Sequence, residues 1–96
     1  MHPLRWTEHA VAQLAAIAEY VSLSSPIYAE QLVDRIVHRL DQARDFPESG
    51  RVVPEFARDD IRELMEWPYR LVDRIDANAI EVLSVLHGRR ELRELP

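Results

Sequence analysis

The sequence contains no cysteine, no lysine and only two glycines, at positions 50 and 88. Without cysteine there is no disulfide, no thiolate nucleophile and no sulfur-ligated zinc, and a reducing compartment is the natural setting. Two isolated glycines cannot form a phosphate-cradling loop or a dinucleotide fingerprint, which need several at short spacing. No apolar run approaches the roughly 20 residues of a membrane span. The opening Met-His-Pro-Leu-Arg-Trp lacks the apolar segment of an export signal. A cytoplasmic protein with no membrane partner is therefore expected. Cations are also scarce: 12 arginines face 17 acids, leaving a net charge of −5. That balance opposes wrapping by nucleic acid over the whole surface, because phosphate binding relies on excess positive charge. A local basic patch remains open.

What is present suits one small globular domain spanning residues 1–96, with 47% apolar and 30% charged residues. Six prolines punctuate the chain. Leu4 to Trp6 reads as a short strand, and Thr7 as an N-cap ahead of the acidic Glu8. Val11, Leu14, Ala18 and Val21, with Ile17 beside them, place one apolar stripe on a helix. Ser25-Pro26 starts a second helix, whose stripe runs from Ala29 through Leu32, Val33, Ile36, Val37 and Leu40 to Ala43 before Phe46-Pro47 ends it. The short connection makes the two helices an antiparallel hairpin. Residues 47–60 have the composition of a long loop. Beyond them the period changes to two, giving strands over Ile61–Trp67, Tyr69–Asp76 and Ala79–Leu86. A two-residue turn at Ala77-Asn78 sets Ile75 opposite Ile80, Arg74 opposite Glu81 and Val72 opposite Leu83. The predicted fold is α+β: a short N-terminal strand and a two-helix hairpin packed on an antiparallel sheet.

Several chemistries are missing. None of the five serines sits in a nucleophile elbow, and the four histidines show no i, i+4 pairing for zinc. No metal or cofactor is expected. Glu30, Asp34, Asp41 and Asp45 read as the solvated face of the second helix, with His38 decorating it.

One constellation remains. The register above sets Arg70 opposite Val85, which makes His87 its diagonal neighbour at about 7–8 Å. Arg62 on the preceding strand lies near them. The tail from His87 to Arg93 carries Arg89, Arg90 and Arg93, the densest positive segment in the chain. An imidazole beside guanidiniums can serve as general acid while the arginines stabilise a phosphorane-like state, the requirements of metal-free RNA cleavage by a ribose 2′-hydroxyl. The plainer alternative pairs Arg70 and Arg74 with Glu63, Glu66 or Glu81 on an exposed sheet face.

Six segments in order carry a family resemblance: Leu4-Arg5-Trp6-Thr7 before a helix, Tyr20-Val21 closing it, Ser25-Pro26, Phe46-Pro47-Glu48-Ser49-Gly50-Arg51-Val52-Val53-Pro54-Glu55, Ile61-Arg62-Glu63-Leu64 with Tyr69-Arg70-Leu71-Val72, and Val85-Leu86-His87 followed by Arg89-Arg90. Together they resemble the ParE/RelE toxin superfamily over nearly the whole chain. The resemblance implies the toxin half of a bacterial type II toxin–antitoxin module, neutralised by a ParD-like or related antitoxin whose C-terminal segment wraps it. On the ParE side of the superfamily the target is DNA gyrase and no bond is broken. On the RelE side it is ribosome-bound mRNA, with Arg70, His87 and Arg90 as the catalytic set. A degenerate member that only binds its antitoxin is a third possibility. Gly88, where such nucleases can carry tyrosine, and Asp73, which would add negative charge beside the phosphate site, count against the nuclease and favour the degenerate member, while Phe46-Pro47-Glu48-Ser49-Gly50-Arg51 together with the acidity favours the ParE side. For partner binding the candidates are Arg62, Trp67, Tyr69 and Arg89, with Val11, Leu14, Leu32 and Ile36 lining an inter-helix groove for the antitoxin.

Overall fold

The computed structural model describes residues 2–95. Strand β1 (Leu4–Trp6) leads into helices α1 (Glu8–Ser22) and α2 (Pro26–Asp45). A single 3-10 turn (Pro47–Ser49) and a two-residue strand β2 (Arg51–Val52) follow, then the meander β3 (Ile61–Glu66), β4 (Tyr69–Ile75) and β5 (Ile80–His87). The α+β reading holds: the helical hairpin covers one face of a five-stranded sheet ordered β1-β5-β4-β3-β2.

The sheet is mixed rather than wholly antiparallel, because β1 runs parallel to β5 with Leu4 opposite Ile80 and Trp6 opposite Val82. No hairpin links these two strands, so turn geometry does not dictate their direction; the start of α1 does. Thr7 sits at that junction. Its backbone N–H and its hydroxyl both donate to the Val82 carbonyl, at 3.1 and 2.8 Å, while the same Oγ1 accepts from the Ala10 N–H at 3.1 Å. One residue therefore ends the strand pairing and caps the helix. Ser25 repeats the cap for α2, its Oγ accepting from the Tyr28 N–H ahead of Pro26 at the first helical position.

The apolar stripe of α1 is rotated from the expected one. Ala10, Leu14, Ile17 and Val21 face the core, and Val11 is 51% exposed. In α2 the stripe is Ala29, Leu32, Ile36, Leu40 and Ala43, all buried. Residues 47–60 are not merely a loop: Arg51 and Val52 pair with Glu63 and Arg62. Gly50 permits this approach, since a Cβ there would lie 2.6 Å from the Glu63 carbonyl oxygen. After β2 the chain folds over the helix-free face, where Val53, Ile61, Val72, Leu83, Leu86 and Leu92 form a second core. The sheet is thus buried on both sides.

At the β4–β5 turn the register is as expected. Ile75 pairs with Ile80 and Arg74 with Glu81, around an Asp76 carboxylate that accepts from the N–H groups of Asn78 and Ala79. Farther along it slips. Asp73 pairs with Val82, but Val72 pairs with Ser84, leaving Leu83 as an extra residue. The predicted pairs Val72–Leu83 and Arg70–Val85 are therefore replaced by Val72–Ser84 and Arg70–Leu86. Packing explains the bulge. Val82 and Val85 both belong to the helix-side core, and Leu83 and Leu86 both belong to the other. Residues three apart share a sheet face only if one extra residue intervenes. Gln13 of α1 closes the gap, its Oε1 accepting from the Val85 N–H at 2.7 Å and the Ser84 hydroxyl at 3.0 Å.

Asp73 lies beside this bulge on the helix-facing side, with Leu71 and Ile75, so it is not next to Arg70 as the sequence suggested. It is 1% exposed, and its Oδ1 has no hydrogen-bond partner among the described residues. The cross-strand Arg62 donates instead to the carbonyls of Asp59 and Gly50. Burial pushes the Asp73 carboxyl up from 3.8 to about 7, with the Arg62 charge opposing only in part. A folded-state value above the unfolded one means that the folded state holds the proton more tightly. The stability it lends is complete below pH 4 and is lost as pH rises through 7. Asp73→Asn is expected to raise the unfolding free energy by roughly 2–4 kcal/mol at pH 8 and by less than about 1 kcal/mol at pH 4, read from urea unfolding at both pH values.

Candidate functional site

The helix-free face carries a closed set of ion pairs built from three neighbouring segments. Arg70 enters from β4 and is only 5% exposed. Its Nε donates to Glu63 Oε1 of β3 at 2.7 Å, and Nη1 and Nη2 donate to the two oxygens of Glu55 at 2.7 Å each. Nη1 also donates to the Arg90 carbonyl at 2.9 Å. Four of the five guanidinium N–H groups are thereby engaged. The second Glu63 oxygen accepts from Arg51 Nε of β2, and Glu55 Oε2 accepts from the Leu92 N–H at 3.0 Å. Two guanidiniums and two carboxylates cancel, so the cluster is neutral.

The electrostatics follow from this geometry. The fork-to-fork bonds from Arg70, aided by the Leu92 N–H, hold the Glu55 carboxyl well below its usual range, at about 2. Arg70 moves further up, chiefly through Glu55, so it stays charged at every accessible pH. Glu63 has no side-chain exposure, and it tolerates burial because both of its oxygens are bonded to guanidiniums.

His87 is elsewhere. It pairs with Tyr69, one position out of phase with Arg70, and so projects from the opposite side of the sheet. The two rings meet edge to face with centroids 6.1 Å apart, and the imidazole Nδ1 accepts from the Arg89 N–H at 3.1 Å. The bulge at Leu83 is the cause: it shifts β5 by one residue against β4, and a one-residue shift exchanges faces. The imidazole–guanidinium neighbours expected from the sequence are therefore separated. Gly88 has no room for a tyrosine without rearrangement, because a Cβ there would already lie 3.0 Å from the Pro68 carbonyl oxygen.

The other candidates divide by exposure. Trp67 is 73% exposed at the β3–β4 turn, Arg89 and Arg90 are exposed, and Tyr69 is half-buried against the helix-side core. Trp67, Arg51, Met65, Arg70 and Gly88 line an open groove of about 540 Å³. Arg90 and Arg93 flank a second cleft of about 370 Å³ with His9 and Gln13. Arg62 is spent on backbone carbonyls. Leu32 and Ile36, at 1% and 0% exposure, are core residues and line no groove, because α1 and the sheet close over them; Leu14 is half-buried in the same core. The partners Arg51 and Glu55 were missed. Only the Arg51-to-Glu55 stretch of the family-like segment hinted at them.

Arg70 is thus a structural centre. Arg70→Met is expected to cost about 3–5 kcal/mol in urea unfolding, because it leaves the buried Glu63 with Arg51 as its one cation among the described residues and removes the cation that Glu55 grips. Arg58→Ala, which removes the exposed pair with Asp60, is expected to cost under about 1 kcal/mol in the same assay.

Comparison with known proteins gives a consistent picture. The chain matches the family described as the ParE toxin of the type II toxin–antitoxin system parDE over residues 4–92. It is 29% identical to the toxin RelE2 of Caulobacter vibrioides over 86 residues, covering 88% of this chain and 93% of that one. It is 32% identical over 90 residues to Y4kP of Sinorhizobium fredii, a protein named as a toxin, covering 92% of this chain and 90% of that one. A solved structure of the chromosomal ParDE toxin–antitoxin system from P. aeruginosa superposes with a TM-score of 0.74 at 29% identity, covering 91% of this chain and 96% of that one. With its two-helix hairpin, five-stranded mixed sheet and matching length, this chain belongs to the ParE toxin family of type II toxin–antitoxin systems.

Proposed function

We propose that this toxin acts by binding a protein, DNA gyrase, and not by cutting RNA. The observation that carries the reading is the state of Arg70. A catalytic guanidinium must have donors free for a phosphate, whereas four of the five donors here are taken by Glu55, Glu63 and a carbonyl. The imidazole that would complete a general-acid mechanism lies across the sheet.

The surface at that end suits a protein partner better. Trp67 is exposed beside Gly88 and shares its groove with Arg51, and the exposed Arg89 and Arg90 follow Gly88 in the chain, so a large aromatic stands at the end of the sheet from which the arginines leave. That composition is typical of protein hot spots. The antitoxin has a separate surface available. Val11, Tyr20, Leu23 and Ile27 are exposed apolar residues on the helical hairpin, suited to the apolar face of an antitoxin helix. They replace the groove that Leu32 and Ile36 were expected to supply.

Purified toxin added to gyrase is expected to abolish supercoiling and accumulate cleaved-DNA complexes. His87→Ala is expected to leave that inhibition intact, and Trp67→Ala to weaken it by about tenfold or more. The opposite pattern, untouched gyrase together with translation-dependent mRNA cuts that vanish in His87→Ala, would replace this reading with the nuclease one.

A further inference from the structure

The segment after β5 has no regular structure, yet it is held in place. Up to Arg90 the chain holds itself through backbone contacts: Gly88 N–H donates to the Pro68 carbonyl at 2.7 Å and Arg90 N–H to the His87 carbonyl at 3.0 Å. Beyond that point, among the described residues, the polar anchors of its backbone are two side chains from distant segments. Arg70 binds the carbonyl of Arg90, and Glu55 binds the N–H of Leu92. Leu92 is buried in the helix-free core, and Leu95 packs against it. On either side of these anchors Arg89, Arg90 and Arg93 are exposed, and none of them joins an ion pair among the described residues.

We infer that Glu55 and Arg70 are positioning residues for a cationic binding strap, residues 88–95, whose three free guanidiniums are presented to an acidic surface of the target protein. The argument is geometric. A flexible tail carrying three arginines loses several rotors per arginine and its backbone freedom on binding. Fixing the backbone at Arg90 and Leu92 removes the backbone part of that loss beforehand. The pair is suited to the task because each partner grips both the other and the strap: Glu55 joins Arg70 through two oxygens while one of them also takes the Leu92 N–H. The chain as a whole is acidic, whereas in the strap three arginines outnumber two acids, Glu91 and Glu94, so it is locally positive by a single charge and its arginines are available to negative partners.

The consequence for gyrase rests on the function proposed above, so the test reads strap and target separately. Arg70 variants are destabilised, which makes Glu55→Ala the better probe: Arg70 keeps Glu63 and the Arg90 carbonyl. In ¹⁵N-labelled toxin, Glu55→Ala is expected to speed hydrogen exchange at the Leu92 amide by about tenfold or more while the β3–β5 amides stay protected. Gyrase inhibition and growth arrest are expected to weaken about tenfold with affinity for the antitoxin retained. Glu55→Gln, which keeps the acceptor for Leu92, is expected to recover most of both. Unchanged exchange at Leu92 overturns the inference. So does a freed strap with undiminished growth arrest, or a loss of protection spread through the sheet. If wild-type toxin leaves gyrase untouched, the target assignment falls, and the strap is still judged by exchange and growth arrest.

Discussion

Leu83 has no partner on β4, and much of the molecule is arranged around that fact. The β5 sequence Val82-Leu83-Ser84-Val85-Leu86 is apolar almost throughout, and both faces of the sheet are buried. A regular strand would send Val82 and Leu86 to one core and Leu83 and Val85 to the other. The fold does otherwise: Val82 and Val85 pack against the helices, and Leu83 and Leu86 fill the smaller far-side core. One extra residue satisfies both, at the cost of interrupted pairing that Gln13 repairs from α1. The same slip carries His87 to the helix side and leaves Arg70 on the other.

Once Arg70 is alone on its face, its surroundings follow from electrostatics. A buried guanidinium without counter-charge is untenable, and the nearest segments provide two carboxylates. Glu63 lies on the neighbouring strand. Glu55 arrives because Gly50 lets β2 approach β3 closely enough to bring the following turn across the sheet. Arg51 then completes the balance at Glu63. The resemblance to the superfamily implies a cleavage role for an arginine at this position in some RelE-like members. Here four of its five donors are taken up by the fold, and the same side chain serves the architecture of the C-terminal segment.

Much of this architecture can be read from the sequence. The helix starts at Thr7 and Ser25-Pro26, the stop at Phe46-Pro47, the three-strand meander and the turn at Ala77-Asn78 are each specified by a few neighbouring residues, and local signals of that kind survive folding. What stayed hidden depends on distant segments. The parallel pairing of β1 with β5 joins the two ends of the chain. Two residues of β2 carry no periodicity. The bulge is decided by competition between two cores, and the sequence pattern of β5 fits either register. The α1 stripe was misplaced by one position because alanines at 10, 12, 15, 16 and 18 make that helix apolar nearly all round. Arg70 stands out in the sequence as a candidate, but its pairing with Glu63 is buried, not a surface ladder, and Glu55 comes from outside the strands altogether.

That alanine-rich outer face of α1 bears on how one small domain can offer two separate surfaces. A helix on the surface of a self-sufficient domain normally carries charge outward, yet Val11, Ala12, Ala15, Ala16 and Tyr20 all face solvent here, continued by Leu23 and Ile27 at the hairpin tip. The cationic strap and Trp67 belong instead to the end of the sheet where β3 turns into β4 and β5 runs out. The two surfaces differ in chemistry, one apolar and one cationic with an aromatic anchor. An antitoxin confined to the helices would leave the strap free. If the strap engages the target as proposed, full neutralisation requires either a chain long enough to span both surfaces or carboxylates that reach the strap directly, and the acidic character needed for the second route is the same character proposed for the target.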